Sequence, residues 1–173
     1  MPIALALDLE REDFSGIYGD HRLKPENISY IGLRSIDGPE QKVIDDNEID
    51  YYTAEEVHKQ GIEKVVDNVI KRALASGCSH IHVSFDLDVT EPTLAPGVRT
   101  PVPGGLTIEQ EEYMLNEIFT NLPVRSFDFV ECDPKLENGG EITVETALKI
   151  LGFFAKGLST LEKHQYALAH KTE

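Results

Sequence analysis

The run from His80 to Leu87 carries apolar residues straight into two carboxylates, Asp86 and Asp88, and then into a long turn rich in proline and glycine that ends at Thr107. In a strand, side chains two residues apart project to the same side, so these carboxylates can converge on one cation. Hard divalent cations such as Mg²⁺ and Mn²⁺ prefer such oxygen donors. Asp-x-Asp at a strand end also caps the backbone of a following turn, and the motif alone leaves both readings open. Pro92, Pro96, Pro101 and Pro103 with Gly97, Gly104 and Gly105 shape the loop beyond it.

Ile28 to Leu33 and Val124 to Val130 match the run at His80 as short apolar strands of a parallel sheet covered on both faces. A weaker strand is expected over Ile49 to Tyr52. Thr53-Ala-Glu-Glu56 is a capping box, and Val57, Ile62, Val65, Val66, Val69 and Ile70 give one helix an apolar face to about Ala75, with Gly77 ending it. Thr107-Ile-Glu-Gln110 opens another through Tyr113, Met114 and Ile118, stopping near Asn121-Leu-Pro123. A last helix is predicted from about Val144 to Leu161, followed by a tail from about residue 162 to 173.

Strands alternating with helices predict an α/β fold, a three-layer αβα arrangement with a mostly parallel sheet, in a single domain over residues 1–173. In open α/β sheets ligands bind beyond the carboxyl ends of the strands. Here those ends read Arg34-Ser-Ile-Asp37, Asp86-Leu-Asp88 and Glu131-Cys-Asp133, which describes an acidic crevice.

The formal charge of −15, from 16 Lys+Arg against 31 Asp+Glu, argues against nucleic acid and anionic membranes and favours cationic ligands. The acidic runs Glu10 to Asp13, Asp45 to Glu48 and Glu109 to Glu112 read as solvated surface. Cys78 and Cys132 lack metal-type spacing, which fits a reducing cytoplasm. No stretch reaches the ~18 apolar residues that span a bilayer, and the N-terminal apolar run lacks a basic flank, so the chain reads as soluble and untargeted. His21, His58, His80, His82, His164 and His170 are scattered and are read as structural or solvated rather than ligands.

Ser84-Phe-Asp-Leu-Asp88 with Ala95-Pro-Gly-Val-Arg-Thr-Pro-Val-Pro-Gly-Gly-Leu-Thr107 resembles the signature of the arginase or ureohydrolase family of binuclear manganese hydrolases: Ser-Phe-Asp-x-Asp, Pro-x-x-Gly-Thr-Pro and Gly-Gly-Leu-Thr. Tyr30-Ile-Gly-Leu-Arg-Ser-Ile-Asp-Gly-Pro-Glu40 is similar to the arginase segment that recognises substrate, and Phe129-Val-Glu-Cys-Asp-Pro134 resembles its Glu-Val-Asn-Pro segment. The resemblance runs from about Met1 to Ala155. It implies that Asp86 and Asp88 are ligands to a pair of Mn²⁺ ions, the first bridging both, and that Thr100 lies near the guanidinium end of the pocket. Glu131 would orient the guanidinium, and Asp37 and Glu40 would read the substrate α-amino group. That last pair points to arginase over agmatinase. The implied activity is hydrolysis of L-arginine to ornithine and urea, and the implied assembly is a homo-oligomer or a complementing chain.

The family's Gly-Gly-Asp-His and Asp-Ala-His-x-Asp motifs occur nowhere in the sequence. Of the six ligand residues of the family, Asp86 and Asp88 alone have counterparts, and no catalytic residue is assigned. Met1-Pro-Ile-Ala-Leu-Ala-Leu7 resembles the residues just after the histidine of the family's His-Gly-Met-Pro segment, so the chain is expected to correspond to the C-terminal half, lacking the N-terminal strands. The resemblance implies that an absent strand lies between the strand ending at Asp86 and the one ending near Arg34. The isolated chain is therefore expected to be unstable, rearranged or associated with another chain. Val89 and Glu91 stand where the family usually has Gly and Asp, and Arg99 replaces a Gly before Thr100. A non-catalytic remnant or regulatory partner, another ureohydrolase such as agmatinase, and a simple site for one cation or cationic amino acid remain alternatives.

Overall fold

Three side chains that accept from the backbone three residues ahead set the helix starts. Thr53 accepts from the Glu56 amide, Thr107 from that of Gln110 and Asp37 from that of Glu40, and in each case the later side chain bonds back to the cap. The structure, a computed structural model, describes residues 6–7 and 23–169, with side chains through residue 159. Its elements are β1 (Ser29–Leu33), α1 (Gly38–Asp46), β2 (Asp50–Thr53), α2 (Ala54–Gln60), α3 (Ile62–Ala75), β3 (Ile81–Asp86), α4 (Ile108–Asn121), β4 (Val124–Val130) and α5 (Glu141–Ala169). Residues 1–5, the acidic run at Glu10, His21, His170 and the His164 side chain lie outside the described residues.

The helix predicted from Thr53 to Ala75 is two helices. Gly61 takes φ +89°, a left-handed conformation that costs glycine little, and its amide closes α2 by donating to the Val57 carbonyl. Helix α1 is an addition to the expected elements: Ile44 is its one buried residue, so no apolar stripe marks it, and the Gly38-Pro39 pair resembles a turn. Helix α5 starts earlier than predicted, directly after Gly139 and Gly140, and runs on to Ala169.

Strands pair two by two, β1 with β2 and β3 with β4. The β3–β4 pair is parallel, with Phe85 opposite Phe129 and Asp86 opposite Val130. Among the described residues no strand joins the two pairs into one sheet. The chain divides into a smaller unit, Met1–Tyr30 with Ile36–Tyr51, and a larger one, Ile31–Ser35 with Tyr52–Glu173.

In the smaller unit Ile28, Ile44 and Ile49 are buried, and the Ser29 hydroxyl donates to Asp50 at 2.9 Å. Burial, with the nearby Glu40 carboxylate, raises the Tyr30 phenol above its ordinary pKa.

The larger unit packs α3, α4 and α5 around Val65, Val66, Phe85, Leu115, Phe119, Ile150 and Phe154. Phe154 stacks on Phe127 at 4.4 Å and meets Phe85 and Phe119 edge-on, so α5 is fastened to strands and helix by one aromatic cluster. Alternate residues of β3 and β4 behave differently. His82, Ser84, Ser126 and Asp128 are exposed, where the sequence suggested strands covered on both faces. These polar residues bond to each other: His82 contacts Ser126 at 2.8 Å and Asp128 at 3.1 Å, and the Ser84 hydroxyl donates to Asp128 at 2.6 Å.

Candidate functional site

Alternation along β3 places Phe85 in the core and delivers Asp86 at the strand's carboxyl end. Asp86 caps a short 3₁₀ turn, Leu87–Val89, accepting from the Asp88 amide at 3.0 Å. The capping role that competes with metal binding is therefore real, and it uses one carboxylate oxygen. Leu87 is fully buried and anchors the turn. Val89 is not among the residues with positive φ, and its side chain occupies the space that a Cβ on Gly32 would fill.

Arg34 crosses from the end of β1 to the same turn. Its guanidinium donates to the carbonyls of Asp88 and Val89, the latter at 3.1 Å, and to that of Gly32, with the Asp88 carboxylate 3.8 Å away. Glu131 follows the last residue of β4, with φ +58°, a strained conformation for a non-glycine side chain. Burial, then the Asp86 charge, pushes the Asp88 carboxyl up to about 6; Arg34 opposes this, and Glu131 adds to it. Asp86, Asp88 and Glu131 thus share one electrostatic environment at the carboxyl end of the β3–β4 pair. Asp86→Asn is expected to lower the Asp88 titration midpoint, read by ¹³C NMR of its carboxyl carbon; an unchanged midpoint would show that the two carboxylates do not share a field.

Beyond the turn, Glu91 closes the loop. Its amide donates to the Leu106 carbonyl at 2.9 Å, and its carboxylate accepts from the amides of Gly104 and Gly105 at 2.9 and 3.0 Å. The other flank is tied to α5, where Thr143 accepts from the Gly97 amide at 2.7 Å and Thr146 donates to the Leu94 carbonyl at 2.6 Å. Arg99 and Thr100 stand exposed on this framed loop.

Asp37 and Glu40 belong to the smaller unit, both exposed, each using one oxygen in the capping box of α1. His58, His80 and His82 each have hydrogen-bonding partners: His58 contacts the Gly104 carbonyl, His80 contacts Ser79, and His82 faces Ser126 and Asp128. Cys78 and Cys132 are free thiols.

One acidic run departs from the sequence expectation. Glu111, expected on a solvated face, is completely buried and accepts from the Thr90 hydroxyl at 2.7 Å. Its spacing to Leu115, Ile118 and Phe119, all buried, is the signal that could have found it: position 111 lies on the inward stripe of α4. Arg34 has no role in the sequence reading beyond its place at a strand end. A long cation between apolar strand residues and an acidic crevice is the clue to it.

The profile of the arginase family matches residues 12–155. The chain belongs to the arginase family. It is 37% identical to the arginase of Entamoeba histolytica over 87% of this chain and 49% of that protein, and 33% identical to the arginase of Bacillus subtilis over 88% and 52%. The crystal structure of the Entamoeba histolytica arginase in complex with L-ornithine superposes with a TM-score of 0.80, covering 88% of this chain and 50% of that one. The native arginase of Bacillus caldovelox gives 0.79 at 32% identity, over 93% and 51%. The chain spans about half the length of the relatives it matches, in their C-terminal portion. A formimidoylglutamase from Bacillus subtilis, 20% identical with a TM-score of 0.71, shares the fold.

The donor set can be compared with the metal chemistry of the family. Asp86 and Asp88 are oxygen donors of the kind Mn²⁺ takes, and their crowding is what a cation relieves. Yet among the described residues no group of three or more His, Cys, Asp or Glu side chains is placed to hold a metal ion. These residues fit as part of a cation site, and further donors have to come from outside them.

Proposed function

We propose that this chain carries the Asp86/Asp88 portion of an arginase-type, manganese-dependent site for hydrolysis of a guanidino carbon–nitrogen bond, with L-arginine as substrate and ornithine and urea as products. The observation that carries this reading is the placement of Asp86 and Asp88, whose charges act on each other, at the carboxyl end of β3, beside the parallel strand β4 that Glu131 follows, with the Gly-Gly-Leu-Thr segment tied to the same turn through Glu91 and Leu106. When bound, manganese would supply activation of the attacking water and stabilisation of developing negative charge.

The chain's own contribution is binding and orientation. Asp86 and Asp88 would hold part of the metal. Glu131, an exposed carboxylate at a strand end, suits a guanidinium, whose planar fork of N–H donors pairs with carboxylate oxygens. Thr100 would stand near that end of the substrate, and Asp37 and Glu40 each have an oxygen outside the capping bonds for an α-ammonium group. The acidic charge favours a cationic substrate throughout. We place the protein in the cytoplasm, acting in a homo-oligomer or with a complementing chain.

A second reading, a non-catalytic family member that acts through association, is favoured by the absence, among the described residues, of any group of three or more His, Cys, Asp or Glu side chains placed to hold a metal ion. Urea release from L-arginine with added Mn²⁺, beside Asp86→Ala, separates the two. Turnover lost in the variant supports the hydrolase. No urea in any assembled form of the chain favours association, and release from agmatine in place of arginine redirects the substrate assignment.

A further inference from the structure

The turn that carries Asp88 is held from both sides by polar side chains that are buried and incompletely partnered. From the end of β1, Arg34 reaches the carbonyls of Gly32, Asp88 and Val89, and its Nε is buried with no hydrogen-bond partner. From α4, Glu111 holds the hydroxyl of Thr90, itself almost completely buried, with Oε1, while its Oε2 is buried without a partner. Arg34 and Glu111 also feel each other electrostatically.

Burying such groups is costly, and natural folds satisfy most buried polar atoms. A turn that needed only to connect β3 to the loop could use apolar side chains at both positions, because Leu87 already anchors it in the core. Arg34 and Glu111 do something a leucine could not: they fix backbone oxygens and a hydroxyl at the successive residues Asp88, Val89 and Thr90. This defines the direction in which the Asp88 carboxylate leaves the backbone.

We infer that Arg34 and Glu111 are positioning residues for Asp88, clamping the 87–90 segment so that its carboxylate is presented beside that of Asp86 for a shared divalent cation. Neither touches the cation or substrate. Arg34 acts through the carbonyls of Asp88 and Val89, and Glu111 through the hydroxyl of Thr90. The inference rests on the reading that Asp86 and Asp88 bind a divalent metal.

Titration with Mn²⁺ of the full chain co-expressed with a polypeptide carrying the N-terminal half of an arginase, followed by the electron paramagnetic resonance signal of free Mn²⁺, tests it in wild type, Asp86→Ala, Arg34→Met, Glu111→Leu, Glu111→Gln and Thr90→Val. Glu111→Gln keeps an oxygen for Thr90 and is expected to bind within about twofold of wild type. Arg34→Met, Glu111→Leu and Thr90→Val are expected to weaken binding roughly tenfold or more, on the scale seen when groups that orient metal ligands are removed. Circular dichroism identifies the variants that fold. Thr90→Val, nearly isosteric, decides the Glu111 arm if Glu111→Leu does not fold, and Arg34→Lys, a cation without the planar fork, replaces Arg34→Met with the same expected loss. If wild type binds more tightly than Asp86→Ala but folded clamp variants bind as wild type does, the clamp is overturned while the metal reading stands. If wild type and Asp86→Ala bind alike, the metal reading fails and the positioning role falls with it.

Discussion

The chain purified alone is expected to melt without a cooperative transition or to self-associate, and co-expression with a polypeptide carrying the N-terminal half of an arginase is expected to give a soluble complex with a single sharp melt. Parallel strands are stable when both faces are covered and edges are paired. Here β3 and β4 make a sheet of just two strands among the described residues, covered on one face by helices and exposed at His82, Ser84, Ser126 and Asp128 on the other. Helix α5 repeats the pattern: Ala147, Ile150 and Phe154 are buried, while Val144, Leu148, Leu151 and Leu158 are exposed at helical spacing, Leu148 at 64%. The relatives that share this fold are about twice as long as their match to this chain. The added half would bring the two histidine-bearing motifs that this sequence lacks, so the complex is also expected to release urea where the chain alone does not. Size-exclusion chromatography with light scattering, followed by thermal melting, reads the first part. A monomer that melts cooperatively by itself would overturn it.

The sequence made some features plain for identifiable reasons. Capping boxes at Thr53 and Thr107 are local, since all their partners lie within three residues, and both helices start where the sequence placed them. The placement of Asp86 and Asp88 at the end of a strand was legible because an apolar run ending in two acids has few structural solutions, and that of Glu131 because it follows a second such run, β4, which pairs with β3. The break at Gly61 was hidden because apolar residues continue at helical spacing on both sides, so periodicity alone cannot detect a left-handed residue between two helices. Helix α1 escaped because it is held by its cap with little core. Glu111 and Arg34 were hidden by a different cause: their roles depend on contacts 21 and 54 residues away, with Thr90 and Asp88, and a charge run looks the same whether it faces water or the interior.

Glu111→Gln is expected to make the protein more stable above neutral pH, with a gain over wild type that grows as pH rises and then levels off. Burial pushes the Glu111 carboxyl up to about 8 from an ordinary value of 4.5, against the opposing effects of the Thr90 hydroxyl and the Arg34 charge. The folded protein therefore holds a proton that the unfolded chain has already released. Stability from this group is complete below about pH 4.5 and is lost progressively as pH rises to about 8. At ~1.4 kcal/mol per pH unit the accumulated loss is on the order of 5 kcal/mol, comparable to the whole stability of a small domain. Glutamine cannot ionise and still offers Thr90 an oxygen, so it removes the pH dependence while keeping the bond. The raised Asp88 carboxyl acts in the same direction at lower pH, but it is present in both proteins and cancels in the difference. Melting temperatures of the two proteins, each in complex with the co-expressed N-terminal half, at fixed concentration from pH 5 to 9, give the comparison. A difference that stays constant across that range would mean that Glu111 is ionised in the folded protein, with Arg34 as its counter-charge.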